Sequence, residues 1–194
     1  MSDRYFILDA EVDNKVCVIT EDAEGVEDTP ELTDGIPLKG IYPENAALFM
    51  NEDHSGMRLV DFVANHLLYI IVSDKVKKVF EQEGVENIEY LPVSIYDQKK
   101  RLASADYFIA NVLGAVDCLD HEKSEYDRSV VNPTKIQHFD KVVIHEDKVP
   151  ENLKIFRLKE SPSTIFIRHD LLETLKKNKL KGFETFRLGV EVFL

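Results

Sequence analysis

The sequence predicts an α+β fold, in which mostly antiparallel or mixed sheets carry a few short helices. Strand-like apolar runs outnumber helical ones by roughly three to one, and the two kinds do not alternate strictly along the chain. Residues 69–95 and 164–190 each show the pattern of a strand, an amphipathic helix and a second strand. A hydrophobic content of 44% and a charged content of 31% in 194 residues are typical of a globular protein with a sizeable core. We expect a single domain over residues 1–194, with two packed lobes if region 1–58 folds apart from a core over 59–194.

The N-terminal region begins with two short β-rich runs, Tyr5–Leu8 and Lys15–Ile19. Asp13 and Asn14 between these runs are good turn residues, so the region predicts a β-hairpin. Residues 20–45 then lose periodicity and collect glycine, proline and acidic residues, which indicates a long loop.

A short helix is predicted before the first strand–helix–strand unit, from the helical spacing of Leu59, Phe62, Val63 and His66. In the first unit, Ser73 is a good N-terminal cap and Gly84 follows the helix as a plausible C-terminal residue. The second unit has Arg168 and His169 where a cap is expected.

The two units align without a gap, with Ile71 matching Phe166 and Val93 matching Leu188. Their apolar positions coincide throughout, yet only Glu89 and Glu184 are identical between 71–93 and 166–188. The repeat therefore preserves core positions without preserving any chemistry.

Three further strands are predicted in the rest of the chain. The stretch Tyr107–Asp117 suits a strand or a helix, and its aromatic and β-branched start favours a strand with a bend at Gly114. Lys141–His145 and Lys154–Leu158 are the other two strand candidates.

The charge of the chain is concentrated at its N-terminal end. The net charge is −12, and residues 1–36 hold eleven acidic side chains against only Arg4 and Lys15. Such a field repels nucleic acid and attracts a basic protein, although a merely solubilising surface is the alternative. If an acidic face binds a partner, the candidate residues are Glu21, Asp22, Glu24, Glu27, Asp28 and Glu31.

The densest group of polar residues in the sequence is consistent with either a metal site or a turn. Its members are Asp117, Asp120, His121 and Glu122. They have the oxygen and imidazole ligands of a divalent metal site, but adjacent residues on regular structure point to different sides. Alternatively, the two aspartates end a strand and organise a turn through backbone amides.

No motif for catalysis or cofactor binding appears in the sequence. It lacks the Gly-x-Ser-x-Gly elbow, a phosphate loop and a dinucleotide fingerprint. The six histidines are scattered, and His66 and His145 lie in apolar runs that suit partly buried structural roles. We expect Cys17 and Cys118 to be buried free thiols, as in a reducing cytoplasm. We therefore predict no catalytic residues, metal ligands or cofactors.

Several stretches together resemble a bacterial immunity protein family of polymorphic toxin systems, the myxobacterial-type immunity domain, formerly a domain of unknown function. The first matching stretches are Ile70–Val76, Tyr90–Val93 and Asn111–Tyr126, of which the last is the most specific. Ile155–Leu158, Ile165–Ile167 and Gly182–Phe186 complete a match over about residues 60–190.

The resemblance implies a cytoplasmic, non-enzymatic inhibitor that binds and neutralises a cognate toxin. An acidic protein suits a basic toxin, because opposite charges steer the two partners together. Neither nucleic acid nor a membrane is an expected partner. Two alternatives remain at this point: a regulatory module that binds a small ligand or another protein, and a metal-dependent hydrolase that uses the Asp117–Glu122 group.

Overall fold

The computed structural model describes residues 4–23, 26 and 31–192. Within this part of the chain, short helices pack on a four-stranded and a six-stranded sheet, and a two-stranded hairpin stands beside them. This arrangement confirms the α+β prediction.

The elements follow one another as short segments. The first strands are β1 (Tyr5–Ala10), β2 (Val18–Ile19), β3 (Ala47–Phe49), β4 (Phe62–Asn65), β5 (Ile71–Ser73) and β6 (Ile88–Tyr96). They are followed by β7 (Leu102–Val112), β8 (Glu125–Arg128), β9 (Ile136–Lys141), β10 (Ile155–Arg157), β11 (Ile165–Arg168) and β12 (Phe183–Arg187). The helices are α1 (Glu31–Asp34), α2 (Asp74–Gln82) and α3 (His169–Lys177), with a 3-10 turn at Glu146–Lys148.

Both predicted strand–helix–strand units form. In each unit the two strands are not neighbours in the sheet, because a third strand lies between them. In the first unit β5 and β6 flank β7, to which both are antiparallel. In the second unit β11 and β12 flank β1 in the same way. The two helices occupy equivalent residues. Two residues after the end of each helix the chain adopts the left-handed region, at Gly84 with φ 70° and at Lys179 with φ 57°.

The equivalence extends beyond the units to the strands around them. The four-stranded sheet has the order β10-β11-β1-β12, and the six-stranded sheet contains the matching run β4-β5-β7-β6. Ile71 and Val72 pair with Ile109 and Phe108 of β7, whereas the equivalent Phe166 and Ile167 pair with Ile7 and Phe6 of β1. The register thus superimposes Tyr5–Ile7 on Tyr107–Ile109, and both segments read Tyr-Phe-Ile.

One apolar core joins the two sheets through the two helices. The amphipathic stripe of α2 buries Val76 and Phe80, and that of α3 buries Leu171 and Leu175 in the same cluster. Leu8 of β1 packs into this cluster as well. Burial of these stripes stabilises both sheets at once, because α2 and α3 pack into one cluster with residues of both sheets.

The six-stranded sheet curls around a second core. Its order is β2-β4-β5-β7-β6-β3, and a bridge between Ile19 and Met50 joins its two edges. Leu48, Ile95 and Ile109 point into the enclosed core, which also takes Leu32 from α1. The loop expected over residues 20–45 therefore contains a helical turn whose apolar residue is buried.

Four predictions of local structure are wrong. Tyr5–Leu8 and Lys15–Ile19 do not form a hairpin, because burial places β1 between β11 and β12 while β2 pairs in parallel with β4. The turn after Asp13 instead carries the chain from one sheet to the other. The helix predicted over residues 59–66 is strand β4, since its apolar residues are taken up by pairing with β5.

The remaining two corrections concern a strand and a side chain. The strand predicted at Lys141–His145 lies earlier, as β9, and ends at Lys141. His66 is exposed, whereas His145 is half-buried as expected. Ser73 does occupy the N-terminal cap position of α2, but its hydroxyl donates to Asp61 Oδ1 at 2.9 Å and leaves the helix uncapped by its side chain.

Candidate functional site

Three segments converge at one edge of the six-stranded sheet. Strands β3 and β6 run parallel with Phe49 opposite Tyr96, so both end at this edge. The Met50 amide donates to the Tyr96 carbonyl at 3.0 Å, and the Asn51 amide donates to the Val18 carbonyl of β2 at 2.8 Å. The residues that follow β2, β3 and β6 therefore lie side by side.

These segments enclose an acidic cleft of about 490 Å³. Among its described lining residues, Lys100 is the one basic side chain. The acidic lining residues are Glu21, Asp22, Glu52, Asp53 and Asp97. We call this cavity, with its lining residues, the acidic cleft.

Hydrogen bonds fix the floor of the acidic cleft. The Asn51 side chain accepts the Asp53 amide at 2.7 Å, and Gln98 Nε2 donates to the Asn51 carbonyl at 2.8 Å. The rings of Phe49 and Tyr96 stack beside it with centroids 5.4 Å apart. These contacts tie together the segments that follow β3 and β6, and such preorganisation lowers the entropy cost of binding a partner.

The charge of Asp97 is compensated within the chain. Its Oδ2 accepts Arg101 Nη2 at 2.7 Å, and its Oδ1 accepts the Lys99 and Arg101 amides at 2.8 and 2.9 Å. The hydrogen bond from the Arg101 side chain is the main reason that the pKa of Asp97 lies below its usual value. Asp97 therefore organises the turn between β6 and β7 and adds little free charge.

The other four carboxylates of the cleft keep their charge exposed. Glu21, Asp22, Glu52 and Asp53 are exposed, and within the described part of the chain none of them forms an ion pair. Asp22 accepts a hydrogen bond from the Tyr69 hydroxyl at 2.7 Å. Burial is the main cause that raises the pKa of Tyr69, so this hydroxyl stays protonated and donates. The cleft is a compact site of exposed, net negative charge.

The structure locates some of the six acidic residues selected from the sequence. Glu21 and Asp22 line the acidic cleft. Glu24, Glu27 and Asp28 lie outside the described residues, as does the side chain of Glu31, the first residue of α1. Sequence reasoning missed Glu52 and Asp53, because only the closure of β2 onto Met50 brings them to the same place.

The polar group at residues 117–122 forms a turn. Asp120 Oδ1 accepts the Glu122 and Lys123 amides, each at 3.2 Å, and Oδ2 accepts Lys123 Nζ at 2.8 Å. Asp117 pairs with Lys159 at 2.7 Å, whereas His121 Nδ1 contacts the Tyr126 hydroxyl at 2.8 Å. Within the described ranges, no three His, Cys, Asp or Glu side chains are placed to hold a metal ion.

Both cysteines are buried free thiols, as predicted. Burial raises the pKa of Cys17 to about 11 and that of Cys118 to about 12, so neither has the thiolate character of a nucleophile. No helix in the described part of the chain is both long and apolar enough to traverse a membrane.

Comparison with known proteins identifies the family. No curated protein matches the chain. The model of the immunity protein family Imm11 matches residues 4–188, which include both repeated units, the strand β1 and the acidic cleft. This match covers nearly the whole chain and agrees with the resemblance seen in the stretches between residues 60 and 190. The chain belongs to the Imm11 family of immunity proteins.

Proposed function

We propose that this immunity protein binds and neutralises a cognate bacterial toxin, and that the acidic cleft contacts a basic surface of that toxin. The observation that carries the proposal is the set of four exposed carboxylates without an ion-pair partner among the described residues, all of which line one cleft. Membership of an immunity protein family supports the toxin as the class of partner.

Charge favours a basic partner for a physical reason. Each carboxylate added to a cleft raises the local concentration of cationic groups and speeds their encounter with the protein. Complementary charge raises association rates up to about 10⁸–10⁹ M⁻¹s⁻¹ at low salt, and added salt screens the effect. The stacked pair of Phe49 and Tyr96 beside the cleft supplies aromatic surface of the kind that holds a complex together once formed.

The proposal also covers the location of the protein, its mode of action, further contact residues and its domain organisation. We propose that the protein acts in the cytoplasm as a binding protein without enzymatic activity. We also propose that Glu24, Glu27, Asp28 and Glu31 contact the toxin together with Glu21 and Asp22. We also propose that residues 1–194 form one domain of two lobes, since the core around α2 and α3 is shared. Strand β1 then belongs to the lobe of α3, with which it shares a sheet.

The direct test is co-expression with a candidate toxin domain, taken from a toxin gene that neighbours the immunity gene where one is found. Wild-type protein should restore growth and co-purify with the toxin. In a purified system, the variant Glu21→Gln, Asp22→Asn, Glu52→Gln, Asp53→Asn should associate about 10-fold to 100-fold more slowly at low salt, with a flatter dependence on ionic strength.

A matched control removes four charges elsewhere. Glu86, Glu122, Asp127 and Glu151 are exposed and lie outside the cleft. The variant with all four neutralised carries the same net charge as the cleft variant, so it reports the effect of net charge alone. Equal association rates for the two variants would show that the cleft is not the contact surface, whereas failure of the wild-type protein to rescue growth would refute neutralisation itself.

A further inference from the structure

A second cavity lies where the two sheets meet. Its volume is about 250 Å³, and its walls come from β1, β4 and β5 together with the ends of β11 and β12. Phe62, Ile70 and Ile165 make the walls largely apolar. We call this cavity the intersheet crevice. It is smaller than the roughly 300–1,000 Å³ of most small-molecule sites, and its size suits one long side chain.

Two carboxylates stand at one side of the intersheet crevice. Asp9 of β1 and Glu184 of β12 are direct partners in the antiparallel register, and both line the cavity. Like charges at directly opposed positions destabilise a sheet. Among the described residues neither carboxylate forms an ion pair, and Asp9 Oδ1 accepts a hydrogen bond from the neighbouring Ala10 amide at 2.7 Å.

Partial burial and the nearby charge of Glu11 further disfavour the negative charges of this pair. Both side chains are exposed along one side, yet the strands around them remove part of their hydration. This burial is the main cause that raises the pKa of Asp9 and of Glu184, and the charges of Asp9 and Glu11 raise that of Glu184 further. The folded chain therefore holds a negative pair that a cation would stabilise.

The mouth of the intersheet crevice is apolar and fixed in place. Val12 and Leu68 line it, and their side chains are 64% and 62% exposed. Leu68 adopts a φ of 61°, a left-handed conformation that is uncommon for leucine and that clusters at functional sites. The Asn65 side chain holds this turn, since its Oδ1 accepts the Leu67 and Tyr69 amides at 3.1 Å and its Nδ2 donates to the Val63 and Tyr69 carbonyls.

We infer that the intersheet crevice receives one lysine or arginine side chain of the toxin, with its aliphatic stem against Val12 and Leu68 and its charge between Asp9 and Glu184. Charge complementarity favours this occupant, because an apolar wall that ends in two carboxylates matches a stem that ends in a cation. The inference rests on the proposed function for the identity of the partner.

The intersheet crevice adjoins the acidic cleft. Tyr69 lines the crevice, and its hydroxyl donates to Asp22 of the cleft. A basic toxin surface that docks on the cleft therefore brings its neighbouring side chains to the mouth of the crevice. The cleft then governs how fast the partners meet, and the crevice governs how long they stay together.

The experiment uses a small probe, so it does not depend on the toxin. Butylguanidinium has the stem and the charge of an arginine side chain, and butylurea is its neutral counterpart. In a titration followed by amide NMR, butylguanidinium should cause saturable shifts at Ala10, Asn65 and Ile71, and butylurea should not. The variant Asp9→Asn, Glu184→Gln should weaken binding at least fivefold. The control variant Glu86→Gln, Asp127→Asn, which removes two exposed carboxylates outside both the crevice and the cleft, should bind like the wild type.

Each result decides the inference. Absence of saturable shifts, equal binding of butylurea, or unchanged binding in the Asp9 and Glu184 variant would overturn it. With the toxin in hand, that variant should dissociate at least fivefold faster with little change in association rate. If the probe binds as expected but the toxin is not neutralised, the proposed function fails and the cation site stands, so the two failures are distinguishable.

Discussion

Replacement of Arg157 by methionine should destabilise the protein by about 3–5 kcal/mol. Arg157 is the last residue of β10, and its side chain is 1% exposed. Its guanidinium makes no ion pair with a described carboxylate and is instead surrounded by backbone carbonyls. Nε donates to Val112 at 2.7 Å, Nη1 to Thr33 and Pro162 at 2.9 and 2.6 Å, and Nη2 to Leu32 at 3.1 Å.

The magnitude follows from two opposing terms. A hydrogen bond from a charged donor contributes about 1.5–3 kcal/mol, so the four bonds together give about 6–12 kcal/mol. Removing the guanidinium from water costs several kcal/mol and offsets part of this gain. Burial lowers the pKa of Arg157 to about 10, so the charge, and with it the whole effect, persists from pH 5 to 8.

The measurement is urea unfolding of the wild type, Arg157→Met and Arg157→Lys, followed by circular dichroism. The lysine variant should lie between the other two, because one ammonium group cannot reach carbonyls on three separate segments. Hydrogen exchange of the Leu38 amide should accelerate in the methionine variant, since α1 loses its attachment through Leu32 and Thr33. A methionine variant within 1 kcal/mol of the wild type would show that the hydrogen bonds merely balance desolvation, and would refute the reasoning.

Two further predictions concern single side chains in the repeated unit of α3. Lys179→Gly should stabilise the protein by about 1 kcal/mol, because Lys179 has a left-handed φ of 57° and the equivalent residue of the first unit is Gly84. The melting temperature should rise by about 2–4 °C. An unchanged or lower melting temperature would contradict this prediction. Asp170→Asn should cost about 0.5–1 kcal/mol at pH 7, because Arg168 donates to both oxygens of Asp170 at 2.7 and 2.8 Å. Those hydrogen bonds are the main cause that lowers the pKa of Asp170 to about 2, so the carboxylate stabilises the fold above its ordinary pKa of 3.8. The difference from the wild type, measured by denaturant unfolding at several pH values, should therefore shrink as the pH falls from about 4 to about 2, and a difference that is constant with pH would exclude this pair as its source.

The repeated units were predictable because their signal is local. The apolar stripes of α2 and α3 have helical spacing, and the strands before them, β5 and β11, are short and apolar. The strand that pairs between the two strands of each unit was not predictable from residue spacing. Turn residues at Asp13 and Asn14 indicate where a chain can reverse, but the buried face of β1 decides that it pairs with β11 and β12.

The acidic cleft was predictable in part for a similar reason. Glu21 and Asp22 belong to the segment with the strongest charge excess, so composition alone draws attention to them. Glu52 and Asp53 carry no such signal, since their position depends on the bridge between Ile19 and Met50. The intersheet crevice is invisible in the sequence, because Asp9 and Glu184 become neighbours only through the register of β1 with β12.

The placement of β1 also fixes an order of events during protein synthesis. The strands β4, β5, β6 and β7 follow one another closely in the chain and can pair as soon as Val112 has emerged. Tyr5–Leu8, all four buried in the folded protein, must wait for β11 and β12. At roughly 5–20 residues per second the ribosome needs about 10–40 seconds to synthesise the chain from β1 to the end of β12. The second sheet therefore closes late, and until then its central strand is an exposed apolar segment that competes for the edge of any sheet nearby.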